Sequence, residues 1–214
     1  MFNEEFSNYI IRRHEEQSIE YKGSLNWNAY ETKINVLKAM LAMANNDQGG
    51  VIVLGVKEEK DRSVSLSGMT DSDFQSFNYD DIARFIKRFC DPIIEFTIFS
   101  DNLIIDDESK NFIILQIHES IEPTVCTDFA LFKKQGGNHY ENIALRKNAI
   151  YIRSKAPIES REISSIHEWR ELLDRMVQKK KEDILKKLPC VNLLNVDTET
   201  DSDKFNTDLI KDNL

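Results

Sequence analysis

Apolar and polar positions recur with two different periods along this chain, and the two periods predict a mixed fold. Ile34, Leu37 and Leu41 follow helical spacing, so a helix with an apolar face is predicted over residues 29–45. Short apolar runs between glycine and polar residues predict strands at 18–22, 50–56, 63–66, 93–99, 112–118, 129–133 and 149–153. Further helices are predicted at 4–16, 71–90 and 166–187.

We make more detailed predictions for two of these helices and for one hairpin. The helix over 71–90 is expected to be continuous, with Asp71 or Ser72 as its cap. A hairpin with a charged tip is expected between Gly55 and Gly68. The apolar side chains that we expect to dock the last helix onto the body are Trp169, Leu172, Leu173 and Met176.

Composition indicates one soluble domain. The chain has 214 residues of which 41% are hydrophobic, and no apolar run approaches the length of a membrane span. We predict a domain over 1–188 and an acidic, disordered tail over 189–214. The start shows no secretory signal, and the 3 cysteines are widely spaced, so a cytoplasmic protein with reduced thiols is expected.

The net charge of -9 argues against a dedicated duplex-DNA binder, since such proteins normally carry a basic excess. A local basic patch can still act alone. Basic residues that could contact a nucleic-acid backbone lie at Arg13, Lys57, Arg146, Lys147 and Arg153.

Two segments carry most of the chemistry. In 18–22, Glu20 and Lys22 fall on the same side of a predicted strand because strand side chains alternate. Glu15 and Glu16 lie at the end of the preceding predicted helix, and two carboxylates five residues apart can converge on one ion, which selects Glu15 over Glu16 when Glu20 is the second ligand. The alternative is a solvated helix end with Glu20 bridged to Lys22.

The second segment, 42–56, predicts a helix end, a Gly-Gly turn and a buried strand. Asn45, Gly49 and Gly50 form a candidate backbone anion site, because a glycine turn can expose N–H groups. The alternative is a tight helix-to-strand connection in which Asn45 caps the helix. The Gly-Lys-Ser/Thr of a Walker loop is missing, which argues against an ATPase.

Both segments resemble the Schlafen-type AlbA-like domain, also described as a DNA-binding or divergent ATP-binding domain. The family shows a Glu followed by an apolar-Glu-aromatic-Lys run, which Glu15 or Glu16 and residues 19–22 match. It continues with Ala-aromatic-Ala-Asn and then Gly-Gly, which residues 42–50 match. Later segments of this chain resemble its Ser-x-x-x-Pro turn and Tyr-x-Arg strand at 112–123 and 149–154. The order of motifs makes the resemblance specific. It implies an α+β fold of a short bacterial form, with a mixed β-sheet, flanking helices and a C-terminal helix.

The resemblance also implies a metal site. In nuclease members of the family, two Glu and a later Asp bind a divalent metal beside a Lys, which implies Glu15, Glu20 and Lys22 as catalytic residues. Here Lys57 stands at the position of the Asp, so either Glu58 or Glu59 takes the role of third ligand through a shifted turn, with Glu58 as our choice, or the metal site is degraded. Mg²⁺ or Mn²⁺ is the expected cofactor, and Lys57 favours a binding function more than the two Glu alone would.

Two hypotheses of different classes follow. The first is a metal-dependent endoribonuclease acting on structured RNA such as transfer RNA, in phage defence or a stress response. The second is a non-catalytic module that binds nucleic acid, including DNA, or a protein partner. The first is slightly preferred because Glu15, Glu20 and Lys22 keep the family spacing. The sequence is compatible with a homo-oligomer, and no association with a membrane is expected.

Overall fold

The computed structural model describes residues 8–10, 16–58, 64–133 and 140–188. Its helices are α1 (Tyr30–Ala44), α2 (Asp71–Ser76), α3 (Tyr79–Phe89) and α4 (Ile166–Lys187), and residues 8–10 are also helical. Its strands are β1 (Ile19–Lys22), β2 (Gly50–Leu54), β3 (Lys57–Glu58), β4 (Val64–Ser65), β5 (Cys90–Asp91), β6 (Phe96–Ile105), β7 (Glu108–Ile117), β8 (Val125–Cys126), β9 (Ala130–Lys133), β10 (Tyr140–Leu145), β11 (Tyr151–Arg153) and β12 (Ser160–Glu162). The mixture confirms the predicted α+β class. No helix in the described ranges is both long and apolar enough to cross a membrane.

A four-stranded sheet in the order β1-β2-β7-β6 forms the centre of the fold. β1 runs parallel to β2, and α1 makes the crossover that a parallel pair requires. β2 and β6 both pair antiparallel with β7. Because side chains alternate, Ile52 and Leu115 pack with α1 on one face of the sheet, while Tyr21 and Ile114 belong to a second cluster on the other.

Helix α1 is buried on more than one side, which explains the breadth of its apolar pattern. It contacts β2 and β7 of the central sheet and also the strands β10, β11 and β12. A helix enclosed in this way needs apolar residues around most of its circumference. Its bounds confirm the helix predicted over residues 29–45.

The segment 71–90 forms two helices, so the prediction of one continuous helix was wrong. Thr70 caps α2 by accepting a hydrogen bond from the Asp73 N–H, in place of the expected Asp71 or Ser72. Asn78 then interrupts the helix, because its side chain accepts from two N–H groups of α3 and therefore caps a new helix. Phe77, at the break, packs against Trp27 with ring centroids 5.6 Å apart.

The β6–β7 hairpin is longer than the two separate strands predicted there. Ten residues of each strand pair, and the connection is only Asp106-Asp107. Both aspartates have positive φ, 53° and 63°, as a two-residue type I′ hairpin turn requires. The predicted hairpin between Gly55 and Gly68 is confirmed by the antiparallel pairing of β3 with β4.

Helix α4 has the predicted bounds, and its first turn is capped as its sequence indicates. Ser165 and Glu168 form a capping box. Leu172 and Met176 are buried, as expected, but Trp169 and Leu173 are 38% and 47% exposed, so they do not dock the helix. The predicted tail, 189–214, and most of the helix predicted at 4–16 lie outside the described residues.

Candidate functional site

Glu20 and Lys22 lie side by side on β1, which confirms that they share one face of the strand. In the parallel register Glu20 is paired with Ile52 and Lys22 with Leu54, so both point to the α1 side of the sheet. The Lys22 Nζ lies 2.6 Å from Glu20 Oε1, and the side chains are 20% and 13% exposed. The ion pair is therefore accessible to solvent at the edge of the sheet.

Arg153 holds Glu20 from the other side. Its Nη1 donates to Glu20 Oε2 at 2.8 Å, and its side chain is only 3% exposed. The same guanidinium donates to the carbonyl oxygens of Gln17 and Ile19, each at 3.2 Å. Gln17 Nε2 returns a bond of 2.8 Å to the Arg153 carbonyl. Arg153 therefore joins β11 to the outer edge of β1 and satisfies carbonyl groups that an edge strand would leave open.

Both oxygens of Glu20 are thus engaged by cationic groups. Ser160 adds a hydroxyl that lies 3.4 Å from Glu20 Oε2 and accepts from Arg153 Nη1 at 3.3 Å. Sequence reasoning missed Ser160 and Gln17, since neither stands in a recognisable motif. With one carboxylate between two cations, the cluster formed by Glu20, Lys22 and Arg153, called the β1-edge cluster below, carries surplus positive charge.

Lys57 lies next to this cluster. The Lys22 carbonyl accepts from the N–H groups of Gly55 at 2.9 Å and Val56 at 3.1 Å, so the start of β3 adjoins the end of β1. A Cβ built on Gly23 would lie 3.8 Å from the Lys57 Cβ. The Lys57 side chain is exposed. The residue that replaces the family's Asp therefore brings a further cation to this edge.

The described residues do not offer a divalent metal the ligands it needs. Glu15 and Glu59 lie outside the described residues, and only the backbone of Glu58 is described. Within the described ranges, no group of three or more His, Cys, Asp or Glu side chains is placed to hold an ion. Glu20 is held by two cations that would repel one. This part of the chain does not fit a metal in the present arrangement.

Asn45 is buried at the end of α1 and satisfies backbone groups there. Its Nδ2 donates to the carbonyls of Leu41 at 3.1 Å, Thr124 at 2.9 Å and Tyr151 at 3.1 Å. Its Oδ1 accepts from the Thr124 N–H at 2.8 Å. Asn45 therefore caps the C-terminal end of α1, as the alternative to an anion site predicted. Its side chain also joins α1 to β11 and to Thr124, the residue before β8. We call these contacts the Asn45 junction.

Gly49 and Gly50 are explained by close packing, Gly49 against a backbone carbonyl and Gly50 against the Met43 side chain. Gly49 has φ +74°, and a Cβ there would lie 2.1 Å from the Ile117 carbonyl oxygen. A Cβ on Gly50 would lie 2.7 Å from the Met43 Cγ. Both glycines are buried, and the Gly49 N–H donates to the Asn46 carbonyl at 3.2 Å. The turn has a structural explanation that needs no bound anion.

The remaining basic candidates are not gathered at one point. Arg146 and Lys147 are exposed in the turn before β11, and Arg146 Nη1 lies 3.7 Å from Glu162 Oε2. Glu162 pairs with Tyr151, whereas Ser160, next to Glu20, pairs with Arg153. The two exposed cations therefore lie at the opposite end of the β11–β12 pair from Glu20. Arg13 lies outside the described residues.

Comparison with known proteins identifies the family. Among solved structures, the DIP2311 protein from Corynebacterium diphtheriae is similar at 13% identity with a TM-score of 0.40; the match covers 69% of this chain and 22% of that one. No curated protein matches. The family model described as Schlafen, AlbA_2 matches residues 15–158, which include β1, α1, the Gly-Gly turn and β11. The chain therefore belongs to the Schlafen AlbA_2 family.

Proposed function

We propose that this chain binds nucleic acid at the β1-edge cluster, with structured RNA such as transfer RNA as the first substrate class. Membership of the Schlafen AlbA_2 family indicates a function related to nucleic acids. The observation that carries the proposal is the engagement of both Glu20 oxygens by Lys22 and Arg153. This arrangement leaves surplus positive charge at a partly exposed edge, where phosphate oxygens can be bound.

The residues of the cluster have different parts in this function. Arg153 is too buried to touch a ligand, so it acts as a positioning residue that fixes Glu20. Glu20 in turn holds the Lys22 ammonium at the surface. Lys22 and the exposed Lys57 are the residues that contact phosphate. Such a local patch can operate in a chain with net charge -9, because screening limits repulsion from distant charges to about 8–10 Å.

Metal-dependent endoribonuclease activity is the second candidate. It is favoured by the adjacent Glu20 carboxylate and Lys22 ammonium, 2.6 Å apart and both partly exposed. This candidate requires Mg²⁺ or Mn²⁺, with Glu15, Glu20 and Glu58 as ligands. It also requires Glu20 to leave its present cationic partners. The two candidates therefore differ in the role of the Glu20 carboxylate. It is a metal ligand in the nuclease, and in the binding protein it only positions Lys22.

Binding is tested by fluorescence anisotropy with labelled transfer RNA and with a DNA duplex of similar charge, in the presence of a chelator. Lys22→Gln and Lys57→Gln should each weaken RNA binding by about 3- to 10-fold and reduce the salt slope by about 1. Lys87→Gln removes an exposed lysine from α3 and serves as the matched control. Equal affinity of all four proteins would contradict the proposal.

Cleavage is tested by following RNA length on a denaturing gel with Mn²⁺ or with chelator. Glu20→Gln keeps an acceptor oxygen for its neighbours and removes one negative charge near the bound phosphate, so binding should be equal or tighter. Shortening that needs Mn²⁺ and disappears in Glu20→Gln would establish the second candidate. Unchanged length across several RNA classes, with binding retained, would establish binding alone.

A further inference from the structure

Helix α4 carries a second apolar face besides the one that docks it. Leu172 and Met176 are buried against Ile150 and Ile163. A separate set of large apolar side chains is exposed along the helix and just beyond its end: Ile166, Trp169, Leu173, Val177, Ile184 and Leu188. At about 100° per residue these six positions fall within a stripe about 100° wide. We call this set the α4 stripe.

Six of the nine positions in the sector that holds the α4 stripe carry large apolar side chains, more than an ordinary solvated face has, and the other three are Arg170, Lys180 and Lys187. Val177 is 69% exposed at its centre, and Ile184 is 52% exposed two turns later. Beside them lies a shallow groove of about 320 Å³, lined by Val177, Ile184, Leu185 and the stems of two lysines. Large exposed apolar side chains grouped on one side of a helix mark an interaction site.

We propose that the α4 stripe pairs with the α4 stripe of a second copy of this chain, in antiparallel orientation about a two-fold axis near Val177. The charges on the helix point to this occupant. Its first half carries three acidic residues with Arg170 and Arg175, whereas its second half carries five lysines with Glu182 and Asp183, so the second half is clearly the more basic. An antiparallel pair places each basic half beside the half that has a small acidic excess.

The spacing of the stripe agrees with this geometry. With Val177 on the axis, Ile166 meets Leu188 of the partner subunit, and Asp174 lies beside Lys181 of the partner subunit. Asp174 and Lys181 are both exposed, and neither has an ion pair among the described residues. A parallel pair would instead place the lysine-rich halves against each other, which like-charge repulsion disfavours.

Oligomeric state is tested on the full chain by light scattering and sedimentation equilibrium. The wild type should show twice the 24.9 kDa chain mass at micromolar concentration. Val177→Glu should weaken association by about tenfold or more, because two carboxylates would meet at the axis. Gln178→Glu adds the same charge on another face of α4 and should leave association unchanged, and circular dichroism checks that both variants fold.

A charge swap tests the orientation. Asp174→Lys and Lys181→Asp should each weaken the dimer several-fold, and the double variant should recover wild-type association. Because positions 174 and 181 are seven residues apart, they cannot pair within one helix, so recovery requires a second copy. A double variant as weak as the combined single variants would overturn the antiparallel arrangement.

Two results would overturn the proposal as a whole. One is a wild type that stays monomeric at all concentrations. The other is a monomer whose α4 stripe is protected from hydrogen exchange, which would show that another part of the chain covers it. Cross-linking of Ile166→Cys with Leu188→Cys between subunits, in a Cys190→Ser background, is expected only from the antiparallel pair.

Discussion

The Asn45 junction and the β1-edge cluster are both built on a buried hydrogen-bond donor, but the contacts of the first stay in the interior and those of the second reach the surface. Every described contact of the Asn45 side chain is to backbone, and the residue is buried. Arg153 is buried to a similar degree, but its chain of contacts runs through Glu20 to Lys22, which is 20% exposed. Polar residues whose partners are all buried stabilise the fold, whereas polar residues whose contacts extend to an exposed charged group can also position that charge for a ligand.

The largest effect should come from Arg153→Met. The substitution keeps a long side chain but leaves the carbonyls of Gln17 and Ile19 without their donor and Glu20 with one cation fewer. We expect the free energy of unfolding to fall by about 3–5 kcal/mol, as for other broken buried ion pairs. Urea denaturation measures it.

Lys22→Gln is the matched comparison for Arg153→Met. It should cost less than about 1 kcal/mol, because the pair it breaks is partly solvated. The same stability loss in both variants would remove the distinction between the inner and outer ends of the cluster.

Asn45→Ala should have the next largest effect. It removes the donor to three carbonyls and the acceptor for the Thr124 N–H, all in a buried place. The expected loss of unfolding free energy is about 2–3 kcal/mol, with RNA affinity of the folded fraction unchanged. Asn46→Ala, which loses one bond to the Gly49 carbonyl, should cost no more than about 1 kcal/mol. An effect of Asn45→Ala on affinity alone would contradict a purely structural role.

The smallest effect concerns the pH dependence of α4. Arg161 and the N–H groups of Ser164 and Ser165 hold the pKa of Glu168 at about 2, well below its usual value of 4.5. Because this pKa is depressed in the folded state, the stabilisation is present above about pH 5 and is lost as the pH falls towards 2. Glu168→Gln should be about 1 kcal/mol less stable at neutral pH.

Urea midpoints measured from pH 6 to pH 2 provide the check on Glu168. The difference between wild type and Glu168→Gln should shrink as the pH falls through this range. A difference that stays constant down to pH 2 would show that the carboxylate charge is not what stabilises the cap.

Local pattern was enough to predict elements whose partners are close in sequence. Helix α4 has its capping box within four residues, and the strand alternation that places Glu20 beside Lys22 spans three. The break between α2 and α3 was missed because the apolar spacing of 82–89 was extended back to residue 71, although Asn78 followed by Asp80 and Asp81 is a signal for a new helix start. The type I′ turn at Asp106-Asp107 was missed because the usual glycine is lacking, although aspartate tolerates the positive φ that this turn needs.

The composition of the candidate site was harder to predict, because its contacts join distant parts of the chain. Arg153 was expected at a nucleic-acid surface, yet it lies in the interior, 133 residues from the Glu20 that it holds. Ser160 is 140 residues from the same carboxylate. No periodicity in the sequence reports such pairings. The resemblance to the family supplied Glu20 and Lys22, and only the fold assigned Arg153 to a positioning role.

The separation between Glu20 and Arg153 has a consequence for the chain during its synthesis. Glu20 and Lys22 leave the ribosome long before the residue that fixes them, since 133 positions separate Glu20 from Arg153. At about 5–20 residues per second, this interval is on the order of 10 s. During that time β1 has no guanidinium to satisfy its outer carbonyls, so the edge that presents Lys22 is completed only after Arg153 has been synthesised.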